Sequence, residues 1–175
     1  MPNTTSKSKL GKSKRANVLA ELLTVGILIF VIAIVFYAVR IVNNQINTPF
    51  QNISSFSNPA KAIMAQQETQ MPRVFDAMIL TLFVGLWIVS LIGAFQIDSH
   101  PIFFIISILL LGIYLFVGAV LGNGFESFIT SQGISTYSSD FPMTNFLFDH
   151  IIASMMIVGI TIVMVLYGKN GVIGR

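Results

Sequence analysis

Four blocks of about twenty apolar residues divide this chain, each long enough to cross a bilayer by the rise of an α-helix. The first, Leu22 to Val39, reads LLTVGILIFVIAIVFYAV and closes on Arg40. The others run from Phe75 to Phe95, from Ile102 to Leu121 and from Phe146 to Tyr167. A water-soluble fold of 175 residues has too little interior to hide four such blocks. Charged residues, at 10% of the chain, are also too few to cover their outside, since soluble domains carry about a quarter. The expected fold is all-α: a polytopic integral membrane protein with four transmembrane helices in antiparallel arrangement.

Composition between the blocks sets the expected domains. A basic tail covers residues 1–17, the first helix 18–42, a polar loop 43–73, a transmembrane hairpin 74–121, a second polar loop 122–145, the fourth helix 146–167, and a C-terminal tail 168–175. Bulky residues run on through Phe36 and Tyr37 with no small-residue cleavage site, so the first block reads as an uncleaved anchor. Within the first loop, Asn58-Pro59 predicts an N-cap followed by proline at the first helical position. Ala60, Ile63, Met64 and Met71 fall near one face of that helix, which suits a short helix on the membrane surface. The turn from Gln96 to Pro101 carries capping residues and makes the second and third helices the tightest pair.

Four crossings put both termini on one side. Seven of the ten Lys and Arg residues lie there, five of them in the tail, against Arg40, Lys61 and Arg73 on the other. The positive-inside rule then places both termini in the cytoplasm or its topological equivalent. A cell membrane, an organelle membrane and the internal membrane of a virus particle all fit this pattern.

The catalytic inventory is thin. With no cysteine there is no disulfide framework or thiolate nucleophile, and the chain holds two histidines and seven acids. No phosphate loop, dinucleotide fingerprint or metalloprotease helix motif occurs. Asp149-His150, with Asp76 and Glu126 on the same side, is the most suggestive cluster for a proton or metal site. Adjacent helical residues point about 100° apart, however, so an interfacial role is expected for both. Asp98 and His100 read as turn residues, Asp76 as a first-turn acid suited to the helix dipole, and Glu21 as a helix-end acid or a partner of Arg15. No catalytic, cofactor-binding or metal-binding residue is expected.

The middles of the blocks carry Thr, Ser and Gly rather than ionisable residues, unlike most ion-coupled carriers. Gly118 and Gly122 form a G-x-x-x-G suited to close helix packing, and Trp87 reads as a packing residue. Asn3 and Asn52 match the glycosylation sequon, with Asn52 on the translocated side. The expected function is that of a non-catalytic membrane subunit structuring a larger assembly: a respiratory or secretion complex, or a membrane-containing virus particle. A small oligomeric channel, holin-like pore or transporter is the alternative, and an integral membrane enzyme stands third. Expected partners are membrane lipids and other protein subunits, with no small-molecule substrate evident. The basic tail from Lys7 to Arg15 suits an acidic protein surface, anionic lipid or nucleic acid.

Overall fold

The computed structural model describes the backbone of residues 5–96 and 103–173, and the side chains of residues 23–96 and 104–168. Five α-helices follow in order: α1 Thr5–Asn52, α2 Asn58–Gln96, α3 Phe103–Ile129, α4 Pro142–Asp149 and α5 Ile151–Ile173. A 3₁₀ turn, Ser135–Asp140, precedes α4, and the described residues contain no strand. Four helices are long and apolar enough to cross a membrane, over Leu23–Asn52, Asn58–Gln96, Phe104–Ile129 and Ile151–Gly168. The protein is therefore all-helical, with the helix inventory of a multi-pass membrane protein. The turn holding Asp98 and His100, and the side chains of Glu21 and the basic tail, lie outside the described residues.

The helices are longer than the apolar blocks that seed them. Where a loop is expected from residue 43, α1 continues to Asn52, and α2 begins at Asn58 and runs through Pro72 into the second block. Residues 58–71, expected as a short helix of their own, are continuous with α2 and form its first turns. Its start is set by Ser57, whose carbonyl accepts the Lys61 N–H at 3.1 Å, so Asn58 and Pro59 fill the first two helical positions. The physical reason for the extension is pairing. Polar residues of α1 at helical spacing find partners on α2, with Gln51 meeting Lys61, Asn44 and Asn47 meeting Glu68, and Phe36 stacking on Phe75 at 4.2 Å. Descending numbers on α1 meet ascending numbers on α2, which makes an antiparallel hairpin closed by Phe50 against Phe56.

The second expected loop is shortened in the same way. α3 continues to Ile129, Gly133 turns the chain with φ 87°, and α4 begins at Pro142. The fourth crossing starts at Ile151 rather than Phe146, because the chain breaks at His150 (φ −112°, ψ 22°) between α4 and α5.

Two compact units emerge. One gathers residues 1–28, 84–120 and 151–175. Its buried positions follow one stripe of α5: Ile151, Met155, Val158, Ile162 and Leu166. α2 and α3 both reach α5 here. Trp87 donates to the Thr161 hydroxyl at 3.1 Å, Ser107 bonds Tyr167 at 2.9 Å, and Leu111 presses on Gly159. Gly118 gives its space to the Met155 thioether, and a Cβ at either glycine would collide with the facing side chain.

The other unit holds residues 29–83 and 121–150. Its core is aromatic: Tyr37, Phe125 and Phe141 are fully enclosed, and Phe125 stacks on Phe148 at 4.1 Å. Tyr37 lies edge-on to Phe125 and Phe128 and tilted against Phe141 at 4.4 Å. A polar network is built over this core.

Candidate functional site

Three polar hooks hold the aromatic unit together, and each begins from a residue on α1 or α2. The first is Arg40. Its Nε donates to Asp140 Oδ2 at 2.7 Å and its Nη1 to Glu68 Oε1 at 3.2 Å, while the guanidinium lies 5.4 Å from the centre of the Tyr137 ring. One cation thus ties α1 to α2 and to the 3₁₀ turn. The Arg40 side chain is 12% exposed, Glu68 22% and Asp140 30%. At such partial burial a planar guanidinium holds two carboxylates better than an ammonium would.

Glu68 is the hub of this hook. Asn44 Nδ2 donates to its Oε1 at 2.7 Å and Asn47 Nδ2 donates to its Oε2. Tyr137 returns to Asn44, donating its hydroxyl to Oδ1 at 3.1 Å. Beyond it, Lys61 Nζ donates to the Gln51 carbonyl at 2.8 Å, and Gln51 Nε2 donates to the Lys61 carbonyl at 3.0 Å. That exchange satisfies a carbonyl in the last turn of α1, where a cation also suits the helix dipole.

The second hook is Asp76, which is 3% exposed. α4 starts at Phe141-Pro142, a sequence with no capping side chain of its own. Asp76 takes that role from α2. It accepts the Met143 N–H at 2.9 Å, the Thr144 N–H at 2.6 Å and the Thr144 hydroxyl at 2.7 Å. A carboxylate on the two free N–H groups of a helix start meets both the unsatisfied donors and the positive end of the dipole. Asp76 therefore lies deep inside α2, rather than in the first turn of a helix as expected from the sequence.

The third hook joins Tyr37 to Asn145. The Tyr37 hydroxyl donates to Asn145 Oδ1 at 2.7 Å, and Asn145 Nδ2 donates to the Ser138 carbonyl at 2.8 Å and to its hydroxyl at 3.0 Å. α1, α4 and the 3₁₀ turn are thereby held in one register over the aromatic core.

The expected cluster does not assemble. Asp149 and Glu126 are exposed, and His150 bonds the Phe146 carbonyl through Nδ1 at 3.0 Å while its ring stacks on Phe146. Asp76 is engaged by α4 instead. Among the described residues no three His, Asp or Glu side chains are placed to hold a metal. The carboxylates of the network face cations, amides and N–H groups, an arrangement that fixes helices and offers no paired nucleophile and base. The residues missed at the sequence level, Arg40, Asn44, Asn47 and Gln51, do carry a signal: their spacing is the stripe of a single helix face.

Compared with known protein families, curated proteins and solved structures, the chain matches none.

Proposed function

We propose that this protein is a non-catalytic multi-pass membrane subunit that gives structure to a larger membrane-associated assembly, with both termini on the cytoplasmic or equivalent side. One observation carries the reading: the buried or half-buried charges Arg40, Glu68, Asp140 and Asp76 are spent on one another or on a helix end, inside the chain. Chemistry on a substrate needs a group left free to change its protonation or bonding partner. Here those groups are committed to rigidity.

The helix surfaces add support. Among the described residues α5 is the most enclosed of the four spans, with 33% of its most apolar window buried, against 11–17% for the other three. Large apolar residues face outward along each of α1, α2, α3 and α5, where lipid and neighbouring subunits cover them. The pore reading has less behind it. Three mid-helix hydroxyls bond within their own helices, Thr81 to the Ala77 carbonyl, Ser90 to Leu86 and Thr161 to Ile157, so these three form no free hydroxyl stripe.

Extraction in mild detergent, followed by mass measurement and identification of co-purifying chains, tests the proposal. A particle much heavier than the 19.2 kDa chain and containing other subunits is the expected result. A monomer, or a ring of this chain alone that conducts ions in a planar bilayer, would sink it.

A further inference from the structure

The basic tail stands too far from the bilayer for lipid to account for all of its charge. α1 runs unbroken from Thr5 into the first apolar block, so axial distances follow from the helix rise. Counted back from Leu22, Arg15 lies about 10 Å away, Lys12 about 15 Å, and Lys9 and Lys7 about 20–22 Å. Headgroups extend only about 5–7 Å beyond the hydrocarbon. The outer two lysines thus sit roughly 13–17 Å above the headgroups, where attraction fades over a Debye length of about 8 Å. By this measure Lys14 and Arg15 lie within about a Debye length of the headgroups, Lys12 at its limit, and Lys7 and Lys9 beyond it.

The composition of the same turns narrows the partner. Between Thr5 and Arg15 the only large apolar residue is Leu10, whereas a helix that docks on a protein needs apolar anchors repeating every three to four positions. The remaining residues are Ser6, Ser8, Ser13, Thr5 and Gly11, and no acid occurs before Glu21. Lys-Ser-Lys appears twice, at 7–9 and at 12–14 with Arg15 following. Lysine and arginine beside serine hydroxyls, without apolar anchors, is the chemistry of phosphate contact without base reading.

We infer that residues 5–15 bind nucleic acid through its phosphates, independently of sequence, on the side of the membrane that holds the termini. The contact belongs to this chain alone and does not require the assembly proposed above.

The test uses the full chain in nanodiscs of zwitterionic lipid, which expose both faces and remove the question of orientation. Anisotropy of a labelled 30-base-pair duplex is followed from 50 to 200 mM salt. Binding is expected, with log K falling against log salt at a slope of about −4.5, as five neutralised phosphates on duplex DNA require. Lys7→Gln with Lys9→Gln should lower the slope by about 2 units, in keeping with two lost phosphate contacts, and weaken binding more than tenfold at 50 mM. Replacing all five basic residues by Gln should abolish it, with helix content unchanged by circular dichroism. Polyglutamate of matched charge should compete at least tenfold less well than unlabelled duplex. Any one of three results overturns the inference: no binding at 50 mM salt, binding indifferent to the Lys7 and Lys9 changes, or equal competition by polyglutamate, which would assign the tail to an acidic protein surface.

Discussion

Asp76 caps a helix to which it does not belong: Thr144, in the first turn of α4, gives this α2 carboxylate both its backbone N–H and its hydroxyl. The pair is buried, with Asp76 3% and Thr144 2% exposed. Because the cap comes from another element, loss of the carboxylate affects both the start of α4 and its attachment to α2.

Asp76→Ala should therefore cost more than an ordinary N-cap deletion. Local caps contribute about 1 kcal/mol, and leaving buried N–H groups unsatisfied adds about 1–3 kcal/mol. A loss of about 2–4 kcal/mol is expected by denaturant titration in detergent micelles. Asp76→Asn keeps one acceptor and should lose about half as much, while Thr144→Val should cost about 1–2 kcal/mol. Hydrogen exchange should quicken over residues 142–149 in each variant and stay unchanged along α5. Uniform quickening over both elements would refute a local cap.

Arg40 offers a second test, since it holds two acids of different exposure. Arg40→Gln should destabilise by about 2 kcal/mol, below the 3–5 kcal/mol for a fully buried pair because its partners are partly solvated. Arg40→Lys should recover less than half, as an ammonium cannot reach Glu68 and Asp140 in one plane. A double-mutant cycle with Asp140→Asn should return a coupling of about 1 kcal/mol. Additive effects would mean that the 2.7 Å contact contributes nothing.

What the sequence shows and what it conceals follow from the same physics. A bilayer demands about twenty apolar residues per crossing, so Leu22–Val39 or Ile102–Leu121 can be read without knowing any neighbour. Asn44, Asn47 and Glu68 look like loop residues because polarity alone does not distinguish solvated backbone from a paired helix face. Their helical order becomes visible only in the spacing of Arg40, Asn44, Asn47 and Gln51, which needs an opposing helix to have meaning. The Asp76 cap is harder still. Phe141-Pro142 announces a helix start without a capping side chain, and nothing local says that the acceptor lies more than sixty positions earlier.

Glycines in the spans separate into two kinds, which substitution should distinguish. Gly118 and Gly159 are pressed by Met155 and Leu111, whereas Gly85 and Gly112 have open space where a Cβ would go. Gly159→Val should destabilise by about 1–3 kcal/mol through overpacking. Gly112→Ala should be neutral or stabilise by up to about 1 kcal/mol, from helix propensity alone. Thermal melts in one detergent compare the two, and equal losses would contradict the packing of α5 against α3.

Orientation can be read from a chain that starts with no cysteine. The five basic residues of the tail, against Arg40, Lys61 and Arg73, favour termini on the cytoplasmic side. Single cysteines at Ser13, Ser57 and Ser139 probe the tail, the tip of the α1–α2 hairpin and the 3₁₀ turn. Ser139 is exposed and serves better than Ser138, whose hydroxyl accepts from Asn145. In intact cells expressing the protein, a membrane-impermeant maleimide should modify the Ser57 and Ser139 positions, and reach the Ser13 position only after permeabilisation. Labelling of Ser13 alone in intact cells would invert the orientation, and would move the proposed phosphate contact of Lys7 and Lys9 to the outer face.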